Sequence, residues 1–286
     1  DLNLHFQMVM CSHHTLFCEG NPVFRMGCLL PISPIAIGFY YLMHICMVAF
    51  SELTFDYRIF REAKSLRQAG HKITILSTSF RNQKLDGWHD IEIHLLPLDR
   101  TRSLRYLYPR FWQWSIKLLQ TFTADAYHAH DLDSLLPCSF VSKKFDRPLV
   151  YDSHEFWTEQ SSLHNRRFMR NIWGQLERRL IGQANHVITV SKSIATSLEE
   201  RYPQSAPITV IRNLPIYRPY ENSQRIREIT KISTNRPIVL YQGGFLTDNG
   251  LYEQIVASKK FGNAAFVLIG DGPQEKNLKD LVQKHQ

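Results

Sequence analysis

Cysteine is scarce in this chain, which has five cysteines among 286 residues. So few thiols exclude a disulfide-rich scaffold, and a reducing compartment such as the cytosol is the expected location. Acidic residues are also under-represented, because 26 Asp and Glu stand against 34 Lys and Arg, for a formal net charge of +8. This balance favours phosphate-bearing ligands or an anionic surface as partners.

Several familiar site signatures are missing as well. The chain contains no G-x-G-x-x-G dinucleotide fingerprint, no G-x-x-x-x-G-K-S/T phosphate loop and no H-E-x-x-H zinc motif. The length allows two domains of roughly 150 residues each. Apolar residues make up 44% and charged residues 21%, values that exclude a disordered chain and a polytopic membrane protein.

The first 42 residues follow neither a helical nor a strand period, and we interpret them as an irregular extension, non-native or disordered. A nearly uncharged run over residues 29–50 is long enough to cross a bilayer. However, Pro31, Pro34 and the strand pattern within the run argue against a membrane anchor. The candidate zinc ligands in the extension are Cys11, His13, His14 and Cys18, although their cysteine spacing is wider than usual. Met43 is the expected start of the native chain.

After the extension, apolar runs of strand length alternate with helical stretches, which is typical of a parallel α/β sheet. The predicted strands cover residues 44–50, 72–78, 91–96, 126–129, 148–151, 186–190 and 208–211. A helix is predicted over residues 56–69, and Gly70 follows where a helix would end. The pattern predicts one doubly wound domain over residues 43–213, followed by a polar linker over 214–236.

A second series of strands and helices occupies residues 237–286. We predict strands over 237–242 and 264–269 and a helix over 251–260. The glycine-rich turns that follow the two strands contain Gly243 and Gly244, and Gly270, Asp271 and Gly272. Glycine lets the backbone approach a ligand closely, and the free N–H groups of the next helix suit a phosphate. Two ordinary tight turns are the alternative.

Polar residues end two strands of the first domain: His130 and Asp131 follow one strand, and His154 and Glu155 follow another. Because ligands of open α/β sheets bind beyond the carboxyl ends of the strands, we expect these side chains to converge on one cleft. A purely structural role is the alternative for each histidine. A zinc or iron site is a further alternative, as in a metal-dependent hydrolase that uses His130 and His154.

Seven segments of the chain, from residue 43 to the end, carry a resemblance to a known family. They are MHICMVAF with DYRIFREAKSLRQAGHKITIL, YHAHDLDSLLP, LVYDSHEFW, HVITVSKSIATSL, VIRNLP, VLYQGGFLTDNGLYEQIVA and FVLIGDGP. In this order they resemble the GT-B glycosyltransferases of family 4, the retaining group 1 enzymes. The resemblance implies an α/β fold of two Rossmann-like doubly wound domains, the second incomplete over 237–286. It also implies transfer of a sugar from a nucleotide-sugar donor to a polysaccharide or glycolipid acceptor with retention of configuration, without a metal or other cofactor.

The resemblance also implies roles for individual residues. His130 matches the family histidine near the transferred sugar and is the implied catalytic residue. The implied acceptor-side residues are Asp131, Asp152, His154 and Glu155, and the implied donor-binding residues are Gly243, Gly244, Asn249, Gly270, Asp271 and Gly272. Asn249 stands where relatives commonly carry Arg or Lys, and the chain ends before the E-x7-E segment of the family. The alternative is therefore a truncated, catalytically inactive remnant that folds and binds acceptor only.

Basic and aromatic residues mingle in two predicted helical regions, which begin at Thr101 and His164. Their charges and rings would suit peripheral contact with the inner face of an anionic membrane. The favoured interpretation is a solvated basic face over an aromatic core. The residues of the second region that support the membrane interpretation are Arg166, Arg167, Phe168, Arg170, Trp173, Arg178 and Arg179. Nucleic acid is not an expected partner, because no reader motif is present.

Overall fold

The computed structural model describes residues 42–285 except 82–84, 161, 162, 164, 165, 216, 218 and 220–222. The proposed extension before residue 42 and its four candidate zinc ligands lie outside the described residues. Within the described part of the chain, no helix combines the length and the apolar character that crossing a membrane requires. The end of the apolar run over 29–50 forms the first strand of a sheet, His44–Ala49.

Seven parallel strands of the described residues form the main sheet, in the order β3-β2-β1-β4-β5-β6-β7. The strands are β1 (His44–Ala49), β2 (Lys72–Ser79), β3 (Glu92–Pro97), β4 (Ala126–His130), β5 (Leu149–Ser153), β6 (His186–Thr189) and β7 (Ile208–Val210). Each overlaps a strand predicted from the sequence, and β4 and β5 extend beyond their predicted ends. Because the chain winds outward from β1 in both directions, the sheet is doubly wound, as predicted.

Helices connect the strands of the main sheet. In chain order they are α1 (Tyr57–Gln68), α2 (Leu104–Leu119), α3 (Leu132–Phe145), α4 (Arg167–Leu180) and α5 (Lys192–Arg201). Helix α1 begins after Asp56, whose carboxylate accepts a hydrogen bond from the N–H of Ile59 and caps the helix. It ends just before Gly70, whose φ of +96° lies in the left-handed region that glycine adopts most easily.

The main sheet is covered on both faces, so the side chains on both faces of its strands are buried. On one face, Tyr127 and Ala129 of β4 pack in a cluster with residues of α2, α3, α4 and α5, and we call this the α3 face. On the other, Ile45 and Met47 of β1 pack with Ile59 of α1, and we call this the α1 face. Because successive strand side chains alternate between faces, the even-numbered positions of β4 lie on the α1 face.

A smaller parallel sheet of two strands forms near the end of the chain. The elements of this region are α6 (Arg225–Thr230), β8 (Ile238–Gln242), α7 (Leu251–Ala257), β9 (Ala265–Ile269) and α8 (Glu275–His285). Leu251 of α7 and Leu278 of α8 pack in one cluster with Phe245. Helix α6 lies in the segment predicted as a polar linker. The segment forms a helix there, although none of the helix side chains is buried. The proposed domain boundaries stay predictions.

Candidate active site

The chain changes its direction of winding between β1 and β4, which are neighbours in the main sheet. Ligands of open α/β sheets bind at such a switch point, beyond the carboxyl ends of the strands. In the strand register, His130 at the end of β4 lies between Ala49 of β1 and Asp152 of β5. His154 comes directly after β5. The structure therefore brings His130, Asp152 and His154 to the edge where a ligand is expected.

Strand alternation decides which side chains share this edge. Tyr127 and Ala129 point to the α3 face, so His128 and His130 point to the α1 face. The two imidazole rings are buried and stack with their centroids 4.3 Å apart. Asp152 is buried beside them, and its Oδ2 lies 3.4 Å from Nδ1 of His130.

His154 is held between two carboxylates. Its Nε2 lies 2.7 Å from Oδ2 of Asp152, and its Nδ1 lies 3.2 Å from Oδ2 of Asp131. Burial lowers the pKa of His154, but hydrogen bonding and attraction from both carboxylates outweigh burial and raise the pKa to about 11. His154 is therefore a buried cation at neutral pH.

Asp131 has a backbone conformation that is rare for residues other than glycine. Its φ is +62°, and such a conformation typically costs about 1–3 kcal/mol. Two hydrogen bonds hold it in place. Its N–H donates to the carbonyl of Asp152 at 2.8 Å, and its Oδ1 accepts the backbone N–H of His154 at 2.9 Å. The strained residue thereby fixes the ends of β4 and β5 relative to each other.

The protonation of the remaining groups follows from burial and contact. Burial, and then the proximity of His128, holds the pKa of His130 well below its usual value, so this ring is neutral. Burial raises the pKa of Asp152, but the neighbouring histidines outweigh it and hold the pKa well below the usual range. The edge thus carries a neutral and a charged histidine side by side, with Nδ1 of His130 3.3 Å from Nε2 of His154.

Glu62 of α1 completes the group and is not among the site residues predicted from the sequence. Its Oε2 lies 3.8 Å from Nδ1 of His130 and 3.9 Å from Nε2 of His128. Burial and the nearby Asp152 raise the pKa of Glu62 well above its usual value. Glu62 follows the buried Ile59 by one helical turn, and a charged residue within an apolar helical stripe is the signal that could have revealed it.

Glu155 and His128 differ from the expectation in opposite ways. The side chain of Glu155 is exposed, and its backbone carbonyl accepts a hydrogen bond from the hydroxyl of Ser153 at 2.9 Å. His128 belongs to the buried group, although it is not among the site residues predicted from the sequence. Its position two residues before His130 in a predicted strand is the pattern that places both rings on one face.

The two predicted glycine turns lie against each other at the carboxyl ends of β8 and β9. The N–H of Gly243 donates to the carbonyl of Ile269 at 3.0 Å, and the N–H of Phe245 donates to the carbonyl of Asp271 at 2.6 Å. A Cβ atom on Gly270 would lie 1.8 Å from the carbonyl oxygen of Gly243. So close a backbone approach requires glycine at this position.

Asn249 closes the first of these turns. Its Nδ2 donates to the carbonyl of Gly244 at 2.8 Å and to the hydroxyl of Tyr241 at 2.9 Å. The hydroxyl of Tyr241 donates in turn to the same carbonyl at 2.9 Å. The amide of Asn249 is therefore engaged within the turn, and it brings no positive charge to it.

Solved structures with the same fold are GT-B glycosyltransferases. Sucrose-phosphate synthase of Thermosynechococcus elongatus matches with a TM-score of 0.70 and 14% identity, over 85% of this chain and 68% of that one. HepE of Anabaena, solved in complex with UDP and glucose, matches with a TM-score of 0.57 and 18% identity, over 85% and 65%. The lipopolysaccharide outer core galactosyltransferase WaaB matches with a TM-score of 0.54 and 14% identity, over 85% and 65%. The expected fold is confirmed, and the chain spans about two thirds of the length of these proteins.

Sequence similarity identifies the family of the chain, whereas structural similarity identifies only its fold. No curated protein matches the chain. The sequence profile of glycosyltransferase family 4 matches residues 57–214, which is more than half of the chain and includes the buried histidine group. The chain therefore belongs to glycosyltransferase family 4.

Proposed function

We propose that this protein is a retaining hexosyltransferase, which moves a sugar from a nucleoside diphosphate to a hydroxyl group of a polysaccharide or glycolipid. The observation that carries the proposal is the group of buried His130, Asp152 and His154, with the partly exposed Asp131, at the switch point of a family 4 sheet. Two solved structures of the same fold support a nucleotide-sugar donor and a glycolipid acceptor. HepE was solved with UDP and glucose, and WaaB is named a lipopolysaccharide outer core galactosyltransferase.

In this proposal His130 contacts the transferred sugar. Its Nε2 is buried and has no hydrogen-bond partner among the residues that the structure describes, so a sugar hydroxyl would satisfy a group that is costly to leave unpaired. Because the ring is neutral, Nε2 donates or accepts according to the tautomer. Asp131, Asp152 and His154 position the ring, and the exposed Glu155 is assigned to acceptor hydroxyl groups.

The donor diphosphate is assigned to the glycine turns, Gly243 with Gly244 and residues 270–272. The second turn leads into α8, and the dipole of a helix favours an anion at its N-terminal end. A departing diphosphate needs donors that neutralise its developing charge. Asn249 brings no charge to the turn, and its amide already donates to the carbonyl of Gly244 and the hydroxyl of Tyr241, so its part is to shape the turn. We propose that no metal ion or other cofactor takes part in the transfer itself.

The test is donor turnover by the whole chain, measured as release of nucleoside diphosphate from a panel of nucleotide-sugars with polysaccharide and glycolipid acceptors. His130→Gln keeps polar atoms but loses the imidazole geometry, and it is expected to lower turnover about 100-fold. The matched control is His186→Gln, because His186 begins β6 at the opposite, amino-terminal edge of the sheet. Proton NMR of the product reports whether the anomeric configuration is retained.

The outcomes separate the proposal from its alternative. Equal loss of turnover in both variants would contradict the assigned role of His130. Saturable acceptor binding without turnover of any donor would support the inactive remnant that binds acceptor only.

We further propose that α4 contacts the inner, cytoplasmic face of an anionic membrane. Phe168 is 76% exposed, and Met169 and Ile172 of the same helix are exposed as well. The neighbouring Arg167 and Arg179 are also exposed. Exposed apolar side chains among cationic ones favour binding to a membrane interface that carries acidic lipids.

Sedimentation with lipid vesicles tests the membrane contact. Vesicles with anionic lipid are expected to carry down more protein than neutral vesicles, and Phe168→Asp should reduce the bound fraction. Phe140→Asp is the matched control, since Phe140 of α3 is 53% exposed outside α4. Identical binding by the two variants would refute a specific contribution of α4.

A further inference from the structure

Four potential metal ligands lie together where α1 covers the ends of β4 and β5. They are Oε2 of Glu62, Nε2 of His128, Nδ1 of His130 and Oδ2 of Asp152, and all lie within 4.8 Å of one another. The four distances between a histidine nitrogen and a carboxylate oxygen of this group span 3.4 to 3.9 Å. Two imidazoles and two carboxylates form a donor set that zinc and related divalent ions accept.

These separations approach those found around a tetrahedral ion. Bonds of about 2.0–2.2 Å to nitrogen and oxygen place neighbouring ligand atoms roughly 3.3–3.6 Å apart in a tetrahedron. Three of the four observed distances, at 3.8 to 3.9 Å, are too long for hydrogen bonds. They exceed the tetrahedral range by a few tenths of an ångström. The two remaining separations of the group, between the two histidine nitrogens and between the two carboxylate oxygens, lie within 4.8 Å, so side-chain movements are needed to complete the shell.

Two of the four ligand atoms lack another partner. Oε2 of Glu62 and Nε2 of His128 are buried and make no hydrogen bond with any residue of the described part of the chain. The His128 side chain is only 8% exposed, which leaves little access for water. Buried polar atoms are rarely left unpaired in native proteins, and a bound cation would satisfy both.

We propose that four side chains bind one zinc-class divalent ion that fastens α1 to β4 and β5: Glu62, His128, His130 and Asp152. Four protein ligands complete a tetrahedral shell, which is the arrangement of a structural site rather than of a catalytic site with an open position. His154 donates to Asp152 at 2.7 Å and acts as an outer-shell partner that orients this ligand. The two carboxylates balance the charge of the ion, and Nε2 of His130 stays available to a sugar.

The test uses the full chain, stripped of metal with a chelator and then titrated with zinc or cobalt(II). The wild-type chain is expected to bind one equivalent, to show the visible absorption of four-coordinate cobalt(II), and to melt at a higher temperature with zinc than without it. Glu62→Gln keeps the size of the side chain but removes an anionic ligand. It is expected to weaken zinc binding by more than the ~10–100-fold that is typical of outer-shell changes.

A matched control and a second variant accompany Glu62→Gln. Glu159→Gln changes a surface carboxylate that pairs with Arg201 and Arg170, and it should retain wild-type affinity. His128→Gln should lose the cobalt(II) absorption, while circular dichroism of the metal-free variant verifies its fold.

Several results would overturn the metal site. These are a wild-type chain that neither binds zinc nor gains thermal stability from it, a Glu62→Gln variant that binds as tightly as wild type, and an equal loss in Glu159→Gln. Metal binding is measured without donor or acceptor, so its failure is distinguishable from failure of the proposed transfer.

Discussion

Replacing Gly270 with alanine is expected to push apart the two glycine turns of the smaller sheet. The added Cβ would lie 1.8 Å from the carbonyl oxygen of Gly243 and 3.1 Å from the ring of Phe245. A backbone carbonyl cannot rotate aside as the end of a flexible side chain can, so the turns themselves must move. Gly270 does not occupy the left-handed region, and the effect is therefore steric rather than conformational.

The size of the effect follows from the required displacement. Ordinary contact with a Cβ begins at 3.4 Å, so the turns must separate by about 1.6 Å. This movement breaks the hydrogen bond from Phe245 to Asp271, which contributes about 1 kcal/mol. Overpacking typically costs a further ~1–3 kcal/mol. We expect a loss of about 3 kcal/mol, which is roughly a 100-fold change in the local opening equilibrium.

Hydrogen–deuterium exchange of peptides from β8 and β9 measures this opening directly. The Gly270→Ala variant is expected to exchange about 100-fold faster than wild type in both strands. Gly244→Ala is the matched control, because its Cβ would meet only the side chain of Leu246, at an ordinary 3.5 Å. Equal exchange rates in the two variants would refute the steric argument.

Two further predictions concern buried polar groups of the main sheet. Burial lowers the pKa of His154, but its carboxylate partners raise it overall, to about 11. The charge of His154 therefore stabilises the fold fully below pH ~6.5, and this stabilisation is lost as the pH rises towards 11. Urea unfolding of the metal-free chain should show wild type losing its advantage over His154→Gln across that range, and a constant difference would contradict a buried charge. Tyr202→Phe removes a hydroxyl that donates to the fully buried Glu177 at 2.8 Å, and it should lower the free energy of unfolding by about 1–3 kcal/mol. The same measurement on Tyr106→Phe, whose ring is 61% exposed, should show no comparable loss.

The strands of both sheets were predictable because their signals are local. Buried parallel strands appear as short apolar runs between polar turns, and each strand of the main sheet lies where such a run occurs. The neighbourhood of His130 and Asp152 was also predictable, since both end strands of one parallel sheet. Their exact positions were less so, because β4 and β5 run past the predicted ends.

The remaining features depend on contacts between distant parts of the chain. Glu62 reaches the site only because α1 folds over β4, and an isolated helix gives no sign of that neighbour. Helix α6 was missed because it buries none of its residues and so shows no apolar stripe. The close approach of Gly270 to Gly243 depends on the pairing of β8 with β9, which glycine content alone does not specify.

The pairing of β1 with β4 also determines when the buried histidine group can form during folding. The N–H of His44 donates to the carboxylate of Asp125 across 81 residues of sequence, and the same pairing brings Ala49 beside His130. Closing so long a loop is entropically costly, and parallel strands that pair over long separations fold slowly. Because Glu62 lies in the helix that follows β1, we expect its contact with His130 to require this long-range pairing, so the site forms with the centre of the sheet and not from any local segment.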